Sequence, residues 1–281
     1  MSHASLSEAM AKTLARARDL LPDGPDQMLD ARMLLAHAAG LTRDKLHRLE
    51  LSDFTPEFDA RFAALLARRA GGEPVSKILG HRDFWNYRFH VTPDVLDPRP
   101  ETECLIALAL QAPFSRVLDL GTGSGAILLT LLAERPQARG TGADLSAAAL
   151  QVAARNAEAL GVSDRATLIT SDWFSDVEGE FDLIVSNPPY IAADEMAGLS
   201  RDVLGYDPRM ALTDEGDGLS VYRLLAAQSG ARLQRGGRII VEIGPTQGEA
   251  VRGFFAAAGF SGVRVHPDLD GRDRNVSAIK G

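Results

Sequence analysis

The run Val117-Leu118-Asp119-Leu120 ends in Gly121-Thr122-Gly123-Ser124-Gly125, and a helical apolar stripe follows at once. Few folds accept that order. A short, almost unbroken apolar run suits a strand buried on both faces. The glycines let the backbone turn sharply and approach a ligand closely. Strand, glycine turn and helix together open a βαβ unit, which commits the chain to a mostly parallel sheet with helices on its faces.

The rest of the C-terminal part keeps the same alternation. Strands are predicted at 116–120, 139–144, 166–170, 181–186, 237–243, 262–267 and 275–280, and helices at 124–134, 146–160, 217–233 and 246–258. The last two strands are separated only by Asp268–Arg274, too short for a crossover helix, so they are expected to form an antiparallel hairpin at the end of the sheet. The fold class is therefore α/β, with a seven-stranded Rossmann-like sheet.

Upstream, residues 5–70 read as helices. Leu6, Met10, Leu14 and Ala17 form one stripe, Met28, Ala31, Leu34, Leu35 and Ala38 a second, and Phe58, Phe62, Leu65 and Leu66 a third after Pro56. Arg68-Arg69 on the third helix reads as a solvated face, with an acidic partner as the alternative. Residues 73–99 change character: Phe84, Trp85, Tyr87, Phe89 and Val91 favour strands, with a turn expected at Pro93-Asp94 and Val95-Leu96 resuming. Pro98-Arg99-Pro100-Glu101-Thr102-Glu103 then opens an apolar helix through Leu110. The expected division is a helical domain at 1–72, a β-hairpin connector at 73–99 and an α/β domain at 100–281.

Composition narrows the partners. The net charge is -8, which disfavours the concentrated basic surface that long nucleic acid requires. Cys104 is the single cysteine, so neither a disulfide framework nor a cysteine metal cluster is expected, and no metal is expected at all. His3, Glu8 and Lys12 interrupt the first residues, which lack the apolar run of a signal peptide or membrane span; a cytoplasmic chain is expected.

Two places carry chemistry. The first is the glycine turn. A dinucleotide site uses Gly-x-Gly-x-x-Gly with a helix N-terminus facing a pyrophosphate. The closer spacing of Gly121, Gly123 and Gly125, with Thr122 and Ser124 between them, suits a nucleotide-like ligand without that pyrophosphate. Asp144 ends the next strand, where a carboxylate can accept from ribose hydroxyls. Asp172-Trp173 follows the third strand, placed to accept from an adenine amino group and to stack on its ring.

The second is Asn187-Pro188-Pro189-Tyr190, directly after the run Phe181–Ser186. Proline has no N–H and a fixed φ, so a Pro-Pro step presents carbonyls outward. The Asn187 side-chain oxygen and the Pro188 carbonyl can accept from one NH2 group, with Tyr190 stacking on the flat group that bears it. Such acceptors favour the charge that develops when a poorly nucleophilic planar nitrogen attacks an electrophilic carbon.

At these residues the chain resembles the class I S-adenosylmethionine methyltransferases, and more narrowly the family that methylates a glutamine of bacterial peptide-chain release factors. The resemblance runs from about residue 73 to the end. It rests on Ile78-Leu79-Gly80, Phe84, Val95–Glu103, Val117–Ile127, Ser171–Phe174, Ser186–Ile191, Tyr206–Leu212 with Asp217-Gly218-Leu219, Glu242-Ile243-Gly244 with Gln247, and Asp270–Arg274. Asp97 stands where the family usually has an aliphatic residue, and Asp207 where glutamate is more common. The resemblance implies S-adenosylmethionine at Gly121–Gly125, Asp144, Asp172, Trp173 and Asn187. It implies that Asn187, Pro188, Pro189 and Tyr190 hold a glutamine side chain, and that the product is N5-methylglutamine in the Gly-Gly-Gln motif of a class 1 release factor. The helical domain would then recognise the substrate.

Other functions share parts of this pattern. Asn-Pro-Pro-Tyr also serves enzymes that methylate exocyclic amines of nucleic-acid bases, which present a similar planar NH2; the acidic charge and the Arg99, Glu101 and Glu103 connector speak against that reading. A module that only senses the cofactor would not require Asn187–Tyr190. A nicotinamide oxidoreductase is disfavoured by the glycine spacing.

Overall fold

The computed structural model describes the chain from His3 onward, with side chains from Leu6; Met1 and Ser2 lie outside the described residues. The chain divides into two compact units. One is the part up to Gly80 together with Arg201–Tyr206, and the other is His81–Ser200 with Asp207–Gly281.

The helical unit contains α1 (His3–Leu20), α2 (Gln27–Ala38), α3 (Pro56–Ala70), α4 (Val75–Leu79) and the later α8 (Arg201–Tyr206). Thr55 caps α3 by accepting from the Phe58 N–H, and Pro56 occupies the first turn, where its missing N–H costs nothing. Phe58, Phe62 and Leu66, one helical turn apart, are buried against Leu34, Leu35, Val75 and Ile78. Val75 and Ile78 are the reason this unit reaches Gly80. Arg69 is not on a solvated face: it bridges Asp30 at 2.8 Å and Asp202 of α8 at 3.0 Å. The helix α8 gave no sequence signal, being only Arg201–Tyr206 and without a fully buried residue.

The α/β unit opens with an antiparallel hairpin, β1 (His81–Phe84) and β2 (Tyr87–His90). Its turn is Trp85-Asn86; the expected turn at Pro93-Asp94 is also present, but residues 95–96 form no strand. Trp85 takes φ 55, in the left-handed region disfavoured for a bulky residue. Side chains hold it there: its N–H donates to Glu103 Oε1 at 2.7 Å and its indole N–H to Glu134 Oε1 at 2.9 Å. Period-two alternation cannot reveal a turn fixed by distant carboxylates.

After α5 (Glu103–Leu110) come β3 (Arg116–Leu120), α6 (Ala126–Glu134), β4 (Arg139–Asp144), α7 (Ala147–Ala159), β5 (Ala166–Thr170), β6 (Phe181–Ser186), α9 (Ser220–Gln228), β7 (Leu233–Glu242), α10 (Gly248–Ala257), β8 (Ser261–Pro267) and β9 (Asp273–Ile279). The sheet is seven-stranded, ordered β5-β4-β3-β6-β7-β9-β8. Strands β3 to β7 run parallel, whereas β9 is antiparallel to both β7 and β8. Leu105, Ile106, Leu128 and Leu132 cover one face and Tyr222, Leu225, Val251 and Phe255 the other. Burial on both faces is why the central strands β3 and β6 read as almost continuous apolar runs.

Strand order reverses between β3 and β6, since β4 and β5 lie on one side of β3 and β6 on the other. Such a switch point opens a crevice at the strand C-termini. Register sets its rim: Leu120 pairs with both Ala143 and Ser186, and Asp144 with Thr170. The loops that follow β3, β4, β5 and β6 thus leave the sheet at one level.

Candidate active site

A cleft of about 640 Å³ lies at that level, within the α/β unit. Gly121, Thr122, Gly123, Ser124, Asp144, Asp172, Trp173, Asn187 and Pro189 all line it. Gly125, Pro188 and Tyr190 are not on its wall. Gly125 instead starts α6 at φ 80, and a Cβ there would lie 2.7 Å from Leu129 Cδ1, so its role is helix packing. Pro188 is buried, and Tyr190 packs against the sheet's apolar core.

The glycine turn is held by its neighbours. Gly121 N–H and Thr122 N–H both donate to the Ala143 carbonyl, at 2.9 and 3.1 Å. Asp144 accepts from Gly123 N–H at 2.8 Å through Oδ2 and from Ser146 N–H at 2.9 Å through Oδ1. Each oxygen keeps lone-pair capacity for a further donor. Asn156, fully buried, donates to the Ser124 carbonyl and to the His90 carbonyl, fastening the turn to the hairpin. Trp173 takes φ 51, and its ring lies 3.9 Å from where a Gly121 Cβ would stand. The indole thus reaches back over the first glycine of the turn.

Beneath the turn is Asp119, a residue sequence reading passed over as part of a strand. It is fully buried; Thr122 hydroxyl donates to its Oδ2 at 2.7 Å, and Leu128 N–H approaches at 3.3 Å. Burial pushes its pKa up to about 7, against the pull of the Thr122 and Leu128 hydrogen bonds, with Asp144 adding to the rise. A raised folded pKa means that this group's contribution to stability is complete below the ordinary carboxylate range and is lost as pH rises through about 7. Asp119→Asn keeps an acceptor for Thr122 and cannot ionise. Its melting temperature relative to wild type is expected to increase as pH rises from the ordinary carboxylate range to about 7 and to level off above that; a difference independent of pH would contradict this.

On the β6 side, Ser186 hydroxyl donates to the Leu120 carbonyl at 2.7 Å, locking the two strand ends together. Asn187 Nδ2 donates to Thr102 Oγ1 at 3.2 Å, leaving its oxygen for the cleft. Gln247 Nε2 donates to the Tyr190 carbonyl at 2.9 Å, while its Oε1 accepts from Gly244 N–H. Gly218 sits at φ 71 with its α-carbon against the Tyr190 carbonyl, where no side chain fits. Burial pushes the Tyr190 hydroxyl up to about 12, with the Glu242 carboxyl adding to the rise, so it is a neutral group and not a base.

The connector contributes Val95, Leu96, Asp97, Pro98, Arg99 and Thr102 to the wall, and the 208–215 loop closes the far side. Arg99 pairs with the buried Asp207 at 2.6 Å. No periodicity marks these residues as part of a site; only the family resemblance pointed to the Val95–Glu103 and Tyr206–Leu212 segments in that role. Leu145, 59% exposed beside Asp144, also lines the cleft and went unnoticed.

Residues 99–222 match the family model for the methyltransferase small domain, and residues 12–80 that for the PrmC N-terminal domain. A methyltransferase from Pyrococcus furiosus of known crystal structure shares the fold, with TM-score 0.52 at 19% identity over 69% of this chain and 88% of that one. Fold and cleft therefore define a methyltransferase that takes S-adenosylmethionine as its cofactor. The release factor glutamine methyltransferase of Cereibacter sphaeroides is 58% identical over 89% of this chain and 90% of its own length. That of Agrobacterium fabrum is 42% identical over 98% of both. The chain belongs to the release factor glutamine methyltransferase family.

The cleft residues fit that cofactor. A Cβ at Gly123 would meet nothing within 4 Å, so the turn presents bare backbone to the cleft, and a half-buried carboxylate with spare acceptor capacity stands beside it.

Proposed function

We propose that the protein transfers a methyl group from S-adenosylmethionine to the side-chain nitrogen, N5, of the glutamine in the Gly-Gly-Gln motif of class 1 peptide-chain release factors. The observation that carries this reading is the pairing of Leu120 with Ser186. It starts the glycine turn and the Asn-Pro-Pro-Tyr segment side by side on one crevice.

Bound S-adenosylmethionine supplies an electrophilic methyl on a cationic sulfur. Gly121–Ser124, Asp144, Asp172 and Trp173 hold it, with Asp144 accepting from the ribose hydroxyls. Asn187 Oδ1, on the cleft wall, accepts one N–H of the glutamine amide and orients its nitrogen; the carbonyl of Pro188, the buried residue next to it in the chain, is the acceptor we assign to the second N–H. As the nitrogen attacks, its lone pair leaves conjugation and its hydrogens become more acidic, so both acceptors bind the transition state more tightly than the ground state. The proton leaves afterwards to an acceptor carbonyl or to water, and no strong base is required. Tyr190, neutral and held by Gln247 through its carbonyl, stiffens the segment beside the amide.

The helical unit recognises the body of the release factor, and the acceptor is a protein and not a nucleic acid. No helix among the described residues is long and apolar enough to cross a membrane; with a translation factor as substrate, we read the site of action as the cytoplasm.

The test is incubation with labelled methyl donor and purified release factor, followed by mass-spectrometric mapping. One methyl on the motif glutamine is expected, and none on a Gln→Ala factor. Label in nucleic acid, or in the Gln→Ala factor, would overturn the proposal.

A further inference from the structure

Behind Asn187 the protein buries a carboxyl group that the proposed chemistry has not used. Glu242 is the last residue of β7, 1% exposed and absent from the cleft wall. Ser186 pairs with Val241, so Asn187 and Glu242 are the next residues out on adjacent strands. Thr102 and Asn187 are the polar side chains that face its carboxyl and favour its ionised form. Its Oε2 has no partner, and neither has the carboxamide of Asn275, the fully buried cross-strand neighbour on β9. A lone carboxyl in so dry a place costs stability, and its position calls for a role.

The two ends of a carboxamide are nearly equal in size, and only hydrogen-bond partners distinguish them. An ionised carboxyl is purely an acceptor. It takes the Thr102 hydroxyl hydrogen, which leaves the Thr102 oxygen to accept from Asn187 Nδ2, the 3.2 Å contact observed. Both neighbours on the inner side of Asn187 then demand N–H, so the NH2 end turns inward and the oxygen faces the cleft. The opposite orientation would set one NH2 against another when an amide substrate arrives.

We propose that Glu242 is a positioning residue: directly and through Thr102, its carboxylate fixes the Asn187 carboxamide with the oxygen toward the cleft, making the site selective for an NH2 donor. This rests on the reading of Asn187 as acceptor for the glutamine amide.

The electrostatic setting makes the device sensitive to pH. Burial pushes Glu242 up to about 7, while Thr102, Arg274 and Asn187 pull it down and Glu101 raises it. The other titratable groups that sense it are Tyr190, Tyr222 and Cys104, all neutral near that pH. A protonated Glu242 can donate, so it no longer enforces one orientation of Asn187. The maximal rate should therefore rise with pH through about 7.

The experiment measures kcat, KM for the methyl donor and donor affinity by calorimetry, for wild type, Glu242→Gln and Thr102→Val on intact release factor, across the neutral pH range. Glu242→Gln is expected to lower kcat about tenfold or more above neutrality, to keep donor KM and affinity within roughly twofold, and to lose the ascending limb. Thr102→Val removes a group that holds the carboxyl down, so its limb should move to higher pH. Wild-type kcat in Glu242→Gln with the limb retained, or an unmoved limb in Thr102→Val, would overturn the proposal. If Glu242→Gln fails to bind the donor because it has not folded, the Thr102→Val limb decides alone. Failure of wild type to methylate the factor would overturn the functional reading, and this inference with it; that failure appears in wild type and cannot be confused with an unaltered Glu242→Gln.

Discussion

Asn187→Ala is expected to lower kcat for methyl transfer by roughly 100- to 1000-fold, the scale seen when one preorganised polar contact to a developing charge is lost. The side chain stands on the cleft wall with its nitrogen end engaged by Thr102, so its oxygen is the group removed from the substrate's side. The backbone of the turn survives: Ser186 still donates to Leu120, and Gln247 still holds the Tyr190 carbonyl. Affinity for S-adenosylmethionine should therefore change little. Single-turnover kinetics at saturating donor and acceptor give the relevant rate. Turnover within a few-fold of wild type would remove Asn187 from the chemistry.

Asp144→Ala should act on the other substrate. The carboxylate accepts from Gly123 and Ser146 N–H groups, and in our reading also from the ribose hydroxyls. Hydrogen bonds to a charged group contribute about 1.5–3 kcal/mol each. Losing the ribose contacts and slackening the turn should weaken donor binding by about 2–3 kcal/mol, roughly 30- to 150-fold in Kd. Asp144→Asn, with one acceptor oxygen left, should fall between. The rate at saturating donor should remain near wild type, because Asn187 is untouched. Titration calorimetry measures the affinity directly, and equal binding by Asp144→Ala would show that the ribose is held elsewhere.

These two residues were legible in the sequence because each stands where a strand of the parallel sheet gives way to a loop: Asn187 follows the buried apolar run Phe181–Ser186, and Asp144 closes the strand that comes one helix after the glycine turn. The β3, β4, β5 and β6 ranges were readable to the residue, because Val117–Leu120 and Phe181–Ser186 have polar or glycine punctuation on their C-terminal side. What could not be read is what lies behind the loops. Thr102 opens a helix and looks like any capping residue. Asp119 and Glu242 alternate with apolar neighbours on their strands, and nothing local marks them as buried carboxyls sharing space with Thr122 and Asn187. The Asp119 contact folds the glycine turn back onto its own strand, and those of Glu242 link β7 to the loop after β6 and to the residue that opens α5; one-dimensional periodicity contains no term for either. The hairpin turn at Trp85 failed for the same reason, since Glu103 and Glu134 hold it from α5 and α6. Tyr190 was assigned by its place beside the prolines; it packs against the sheet core and is off the cleft wall.

The most direct measurement is a crystal structure of the protein with the demethylated cofactor and a peptide carrying the Gly-Gly-Gln loop. The glutamine NH2 should be gripped by Asn187 Oδ1 and the Pro188 carbonyl, its nitrogen pointing at the cofactor sulfur along the line a methyl group would travel. A glutamine seated elsewhere in the cleft, or an Asn187 oxygen turned toward Thr102 and Glu242, would contradict the account.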